Sequence, residues 1–140
     1  MIYLTRRFRF SASHRLHHPR LSEAENLRVY GKCSNPGGHG HNYALEVTLA
    51  GKPDPATGML ADLAALDGFV EREILERFDH TYLNAADGHF AGQVPTSENL
   101  CREIFRLCRA GFRGAEVARV RLEETSLNSF EYRGEEGEAG

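Results

Sequence analysis

The chain has 140 residues, of which 41% are hydrophobic and 26% are charged, and its formal net charge is -3 at pH 7. These values are typical of one globular domain and exclude a disordered or fibrous chain. A slightly acidic chain without a long stripe of lysine and arginine in its sequence gives no electrostatic reason to expect nucleic acid, so we expect a small-molecule partner. There is no apolar run of about 18 residues that could cross a membrane and no signal-peptide core after Met1. We therefore expect a cytoplasmic protein that does not contact membranes.

The three cysteines are too few and odd in number for a disulfide framework, so reduced thiols are expected. Cys33 lies in a segment rich in glycine and asparagine, where a thiol can be accessible and reactive. Cys101 and Cys108 fall on a predicted helix, and we expect them to point inward as small hydrophobic side chains.

The first part of the chain predicts two paired strands separated by a long loop. Residues 2–13 alternate between apolar and polar side chains, which predicts a half-buried strand that ends at His14. Residues 15–40 are rich in Pro, Gly, Asn and charged residues, and a loop of that length in a compact domain is usually part of a functional site. Residues 41–51 alternate again and predict a second strand that forms a hairpin with the first.

The second part predicts two helices and two further strands. Asp62 is suited to cap a helix whose apolar residues recur at helical spacing up to Phe78. After a loop at 79–95, Thr96, Ser97 and Glu98 suit the start of a second helix that reaches about Arg109. Residues 116–124 and 127–132 then predict strands. Residues 1–134 form the predicted single domain, and residues 135–140 are predicted to be a flexible acidic tail.

This order of elements indicates an α+β fold in which a four-stranded antiparallel sheet carries two helices on one face. A sheet of this size would keep open edges and one uncovered face. We therefore expect the chain to form an oligomer.

Three histidines are candidates for a metal site. His39 and His41 are two residues apart, so in extended backbone their side chains point to the same side, and we expect Gly40 to keep the space between them clear. His14 ends the strand predicted to pair beside them, and three imidazoles with an open fourth position form the catalytic type of zinc site. An isolated pair of this spacing also occurs on surfaces without a metal.

A second candidate is the dipeptide Asp79-His80, because a carboxylate beside an imidazole can hold a tautomer and relay a proton. The same dipeptide is equally suited to the end of a helix. Sequence spacing alone does not choose between these interpretations.

Several motifs closely resemble the 6-pyruvoyltetrahydropterin synthase family. They are FSASHRL at 10–16, ENL at 25–27, GKCSNPGGHGHNY at 31–43, DH at 79–80, PTSEN at 95–99 and ET at 124–125. They follow one another in the family's order over nearly the whole chain. The resemblance implies the T-fold, or tunnelling fold, in which three subunits close a barrel and two trimers stack into a homohexamer.

The resemblance also implies roles for individual residues. It implies that His14, His39 and His41 bind a zinc ion and that Cys33 is the general base. Asp79 and His80 would form a proton relay that comes from a neighbouring subunit. Glu124 would hold the pterin ring, with Thr96 and Ser97 near the same pocket. From the sequence alone Glu123 and Glu124 are equal candidates on opposite faces of a strand, and only the match of the Glu-Thr pair selects Glu124.

The implied reaction is that of a carbon–oxygen lyase, which converts 7,8-dihydroneopterin triphosphate to 6-pyruvoyltetrahydropterin, with elimination of triphosphate, in tetrahydrobiopterin biosynthesis. It needs proton transfers but no redox cofactor, in keeping with a sequence that has no dinucleotide-binding glycine motif. Mg²⁺ is a candidate companion of the substrate triphosphate, although no residue pattern encodes a site for it.

Three alternatives remain open. The sister enzyme, 6-carboxytetrahydropterin synthase of queuosine biosynthesis, uses the same substrate, but the five residues between Cys33 and His39 resemble the pyruvoyl-forming branch. A cupin-type metal oxygenase shares a His-x-His motif, yet its second metal motif is missing and the helix predicted at Asp62 disagrees with a small β-barrel. A noncatalytic pterin-binding module would need Glu124 but not Cys33 or the Asp79-His80 pair.

Overall fold

The computed structural model describes residues 1–85, 88–90 and 92–135, and these form a five-stranded sheet in the order β3-β1-β2-β4-β5. Helices cover one face of the sheet, which confirms the predicted α+β class. Four strands were expected. The fifth, β3, has only two residues and lies in the segment predicted to be a loop. Residues 136–140 of the predicted acidic tail lie outside the described residues.

The elements follow the chain in this order: β1 Ile2–His14, α1 Glu23–Tyr30, β2 His39–Gly51, α2 Leu63–Val70, α3 Glu76–Phe78, β3 Thr81–Tyr82, α4 Ser97–Gly111, β4 Glu116–Thr125 and β5 Asn128–Tyr132. A π-helical segment, Glu71–Leu75, joins α2 to α3. Within the described part of the chain, every helix is too short or too polar to cross a bilayer.

The hairpin of β1 and β2 determines where the histidines meet. The two strands pair antiparallel over their whole length, with His14 opposite His39 and Ala12 opposite His41. Because side chains alternate along a strand, His14, His39 and His41 all lie on one face of the sheet. The predicted pairing of the two strands is therefore confirmed.

The core lies between this face of the sheet and the helices. Leu45, Val47 and Leu49 on β2 are fully buried, as are Ile74 and Ile104 from the helical layer. Burying one such side chain contributes about 1.5–3 kcal/mol. The opposite face of the sheet carries charged side chains instead, so the helices pack against one face only.

Both predicted helix starts are confirmed by their caps. The Asp62 carboxylate accepts hydrogen bonds from the backbone N–H groups of Ala64 and Ala65. The Thr96 hydroxyl accepts from the backbone N–H of Asn99 at 3.2 Å. These bonds satisfy N–H groups that have no partner within the helix.

Helix α1 was not predicted, because residues 15–40 were interpreted as a loop. The signal for it is the capping box of Ser22 and Glu25, in which each side chain accepts from the other residue's backbone N–H at 3.1 Å. Helix α1 does not bury its apolar residues, because Leu27 and Val29 are 59% and 61% exposed. Its sequence therefore lacks the apolar stripe that indicates a helix.

Candidate metal centre and active site

Side chains from three segments meet at one end of the β1–β2 hairpin. The possible ligand atoms of His14, Cys33 and His41 all lie within 4.8 Å of one another. His14 ends β1, His41 lies near the start of β2, and Cys33 comes from a short 3-10 turn between these strands. Imidazole nitrogen and thiolate sulfur are the ligands that zinc prefers in proteins. We therefore treat this His14–Cys33–His41 cluster as a candidate metal centre.

The tautomer of His14 is determined by a single hydrogen bond. Nδ1 of this fully buried ring lies 2.9 Å from the carbonyl oxygen of Pro95. Because a carbonyl can only accept, Nδ1 carries the hydrogen and Nε2 keeps its lone pair on the side of the cluster. Burial lowers the pKa of His14, against the opposing effect of the Pro95 hydrogen bond. The ring is therefore neutral near pH 7, which is the form that binds a metal.

His41, the second imidazole of the cluster, is partly buried. Burial lowers the pKa of His41 although the Glu124 carboxylate acts in the opposite direction. Nε2 of His41 lies 3.1 Å from Oε1 of Glu124, but the two atoms are not aligned for a hydrogen bond. Nε2 of His14 likewise has no hydrogen-bond partner. Buried polar atoms are rarely left unpaired, so these two nitrogens fit a bound metal ion.

His39 lies beside the cluster rather than inside it. Its ring centroid is 4.8 Å from that of His41, and the residue is exposed. The structure thus brings two of the three predicted histidines and Cys33 into one group, with the third histidine at its edge. Both His39 and Cys33 are positioned as candidates for the third ligand.

Gly38, just before β2, permits the chain to approach the backbone of His14 closely. It has a φ of 80°, and a Cβ atom there would lie 3.1 Å from the carbonyl oxygen of His14. A Cβ at Gly40 would lie an ordinary 4.0 Å from the carbonyl oxygen of Ala12 on the paired strand. The role of Gly40 in keeping the space between its neighbours His39 and His41 clear stays a prediction.

Backbone contacts around Arg15 hold the turn that carries Cys33. The N–H of Leu16 donates to the carbonyl of Cys33 at 2.6 Å, and Nε of Arg15 donates to the carbonyl of Ser34 at 3.1 Å. The Asn84 side chain in turn bonds the N–H and the carbonyl of Arg15, at 2.8 and 2.9 Å. Sequence reasoning missed both Arg15 and Asn84, because their partners are distant in sequence.

The segment before this turn is anchored by Asn26, which is fully buried. Its amide accepts from the backbone N–H of His18 and donates to the carbonyls of His18, Leu21 and Ser22. These bonds fold the predicted loop into an ordered structure around α1.

The environment of Cys33 favours the neutral thiol. Burial raises the pKa of Cys33, and the negative charge of Glu124 raises it further. Cys101 and Cys108 are 1% exposed, and burial raises the pKa of each to about 12. Their predicted role as small hydrophobic residues of the core is confirmed.

Asp79 and His80 form a pair at the edge of β1. Oδ1 of Asp79 accepts from the backbone N–H of Ser11 at 2.9 Å and lies 3.0 Å from Nδ1 of His80. His80 has a φ of 58°, which is uncommon for a residue with a side chain, and its ring is 82% exposed. The structure does not bring this pair into the His14–Cys33–His41 cluster of the same chain.

Three other predicted residues lie around the cluster. Glu124 approaches the imidazoles of His14 and His41, and its second carboxylate oxygen accepts from Nδ2 of Asn128 at 3.0 Å. The Ser97 hydroxyl is buried next to the Tyr43 hydroxyl, whereas the Thr96 hydroxyl caps α4. The geometry thus places Glu124, of the two adjacent glutamates, next to the candidate metal centre.

Comparisons with known proteins show the family to which the chain is similar. The sequence model of a family described as 6-pyruvoyl tetrahydropterin synthase matches residues 3–135. A 6-pyruvoyl tetrahydrobiopterin synthase of Poecilia reticulata is 46% identical over 133 residues, which cover 95% of this chain and 90% of the relative. A protein of Archaeoglobus fulgidus, provisionally named a 6-carboxy-5,6,7,8-tetrahydropterin synthase, is 37% identical over 104 residues, which cover 74% of this chain and 81% of the relative.

The fold also matches a solved structure. The structure of Caenorhabditis elegans 6-pyruvoyl tetrahydropterin synthase superposes with a TM-score of 0.89 at 39% identity and covers 96% of both chains. This agreement supports the predicted T-fold of the subunit and disagrees with a cupin barrel. The family match, the relatives and the fold lead to one conclusion: the chain belongs to the 6-pyruvoyl tetrahydropterin synthase family.

Proposed function

We propose that this chain is a zinc-dependent lyase that converts 7,8-dihydroneopterin triphosphate to 6-pyruvoyltetrahydropterin and releases triphosphate. One observation carries the proposal: the imidazoles of His14 and His41 have buried Nε2 atoms without a hydrogen-bond partner, and their possible ligand atoms lie within 4.8 Å of the Cys33 sulfur. A site of this kind can hold a metal ion next to a group that accepts protons.

His14, His39 and His41 would hold the zinc ion in this proposal. When bound, zinc supplies positive charge that favours the Cys33 thiolate and stabilises negative charge on the substrate oxygens. The hydrogen bond from His14 to Pro95 keeps the ring in the tautomer that a ligand needs. Mg²⁺ would accompany the triphosphate outside this ligand set.

Cys33 would act as the general base that removes a carbon-bound proton from the substrate side chain. A general base must lie within hydrogen-bond distance of the proton that it removes, so the position of the turn that carries Cys33 would affect catalysis. The contacts of Leu16 and Arg15 with the carbonyls of Cys33 and Ser34 supply that position.

Glu124 would accept hydrogen bonds from the N–H groups of the pterin ring, with Ser97 and Thr96 near the same pocket. Its location beside His41 supports this role, because the ring would then lie next to the metal centre. Asp79 and His80 would complete the proton relay from a neighbouring subunit. The barrel of three subunits, the hexamer and the cytoplasmic location belong to the same proposal.

The archaeal relative supports a second candidate, a 6-carboxytetrahydropterin synthase that acts on the same substrate. Incubation of the zinc-loaded protein with dihydroneopterin triphosphate, followed by mass spectrometry, separates the two activities. We expect the pyruvoyl product. The carboxy product would favour the second candidate, and the absence of turnover would favour a noncatalytic pterin-binding module.

A further inference from the structure

Two buried hydroxyl groups lie next to each other near the candidate metal centre. Tyr43 of β2 is 1% exposed, and Ser97, the first residue of α4, is 2% exposed. Their hydroxyls are neighbours, and in the part of the chain that the structure describes neither of them bonds a third group. We call the side chains of Tyr43 and Ser97 the hydroxyl pair.

The hydroxyl pair has one hydrogen-bond donor more than it can use. Each hydroxyl carries one O–H, so a hydrogen bond between the two oxygens satisfies one O–H and leaves the other without an acceptor. A buried donor without a partner costs free energy. The ring of Tyr43 stacks on Phe10 with centroids 5.0 Å apart, and a phenylalanine at position 43 would keep this contact without that cost. The packing of the ring therefore does not explain the hydroxyl.

The surroundings of the Tyr43 hydroxyl belong to the proposed active site. The Tyr43 ring lies 5.7 Å from the His41 ring, measured between centroids. Glu124 and Cys33 are both close enough to act electrostatically on the Tyr43 hydroxyl. The unused O–H of the hydroxyl pair is therefore near the carboxylate that is proposed to hold the pterin ring.

A pterin ring carries an acceptor that matches this donor. In the proposed function Glu124 accepts hydrogen bonds from the N–H groups of the ring, which are its N3–H and its 2-amino group. The carbonyl at C4 adjoins N3 and so lies on the same edge of the ring, and a carbonyl oxygen can only accept. A donor next to Glu124 therefore complements a 4-oxo ring.

We propose that the hydroxyl pair determines the specificity of the site for 4-oxo pterins. Ser97 donates to the Tyr43 oxygen and so orients it, and the Tyr43 O–H donates to the C4 carbonyl oxygen of the bound ring. This inference rests on the proposed function. It assigns a role in substrate recognition to Tyr43, a residue outside both the metal ligands and the proton relay.

Fluorescence titration of the zinc-loaded protein with two ligands tests the inference. Neopterin has the 4-oxo ring without the triphosphate, and its 4-amino analogue lacks the C4 carbonyl. Y43F should raise the Kd of neopterin about 3- to 10-fold, the effect of one lost neutral hydrogen bond, and should not raise that of the analogue. The control Y3F removes a hydroxyl from Tyr3, which is 65% exposed at the other end of β1, and should bind neopterin as the wild type does.

The variant E124Q separates a failure of this inference from a failure of the proposed function. If E124Q weakens neopterin binding and Y43F does not, the inference is overturned and the pterin site remains. Equal weakening of both ligands by Y43F would also overturn the inference, because the analogue has no carbonyl to lose. Absence of neopterin binding by the wild type would contradict the inference and the proposed function together.

Thermal unfolding distinguishes recognition from a purely structural role of the hydroxyl pair. The double variant Y43F/S97A removes both hydroxyls, and replacing both partners of a buried hydrogen bond by apolar groups is nearly neutral for stability. We expect its Tm to stay within about 2 °C of the wild type while neopterin binding weakens as in Y43F. A fall in Tm of about 5 °C or more with unchanged affinity for neopterin would show that the pair only joins β2 to α4, and would overturn the inference.

Discussion

The imidazole of His14 donates its Nδ1 hydrogen to the carbonyl oxygen of Pro95 across 2.9 Å. This bond joins the end of β1 to the residues that begin α4, although the two partners are 81 positions apart in the chain. It leaves Nε2 of His14 available as a ligand. The position of α4 is therefore coupled to the candidate metal centre.

The first prediction concerns which residues hold zinc. H14A and H39A should each lose the zinc that the wild type binds, whereas C33A should keep about one ion per chain, because three imidazoles complete the proposed ligand set. Metal analysis after gel filtration measures the stoichiometry. Loss of zinc from C33A together with retention in H39A would instead assign the third ligand to Cys33.

The second prediction concerns Arg15 as a positioning residue. R15A removes the bond to the Ser34 carbonyl, so the Cys33 turn should shift and kcat should fall about 10- to 100-fold, with zinc content unchanged. The matched control is R20A, an exposed arginine in the same segment. The positioning role is refuted if R15A and R20A have the same kcat, or if R15A simply loses its zinc.

A third prediction follows from the contacts of Glu103, whose carboxylate lies 2.9 Å from Nδ1 of His89 and also bonds Arg106. Burial opposes its ionisation, but these hydrogen bonds outweigh burial and lower the pKa of Glu103. A lowered folded-state pKa contributes stability above the unfolded-state pKa of about 4.3, and this contribution is lost as the pH falls through the folded-state value.

The variant E103Q should therefore unfold more easily at pH 7, by about 1–2 kcal/mol, and its deficit should shrink as the pH falls below about 4. Urea unfolding at a series of pH values measures both effects. The control E71Q changes an exposed glutamate and should stay within about 0.5 kcal/mol of the wild type. A deficit of E103Q that is constant down to pH 2 would contradict this explanation.

Much of the fold could be predicted because its signals are local. The alternation in β1 and β2, and the caps Asp62 and Thr96, each determine structure within a few residues. Strand β3 has only two residues and depends on pairing with β1, so it leaves no periodic pattern.

The candidate site was predictable where its residues carry a motif. The His-x-His pair and the strand pairing bring His14 and His41 together, as expected from the hairpin. The contacts that hold the Cys33 turn were not predictable, because the Asn84 side chain bonds the backbone of Arg15 across 69 positions in the chain. Likewise, the hydrogen bond between His14 and Pro95 depends on the packing of α4, so it could not be predicted from a sequence pattern.

A fourth prediction tests whether two chains share one site. If Asp79 and His80 act from a neighbouring subunit, mixing C33A chains with H80A chains should restore activity to about a quarter of the wild type after random subunit exchange. Mass spectrometry must show that mixed oligomers have formed. Activity at the level of the parent variants in such mixtures would require the site to lie within one chain.

The most direct test of the central claim compares the release of triphosphate from dihydroneopterin triphosphate by the wild type, C33A and C101A at equal zinc content. The account predicts release by the wild type, a loss of about 100-fold or more in C33A, and a rate near that of the wild type in C101A, whose thiol is buried in the core. Equal rates in C33A and C101A, or no release by the zinc-loaded wild type, would contradict it.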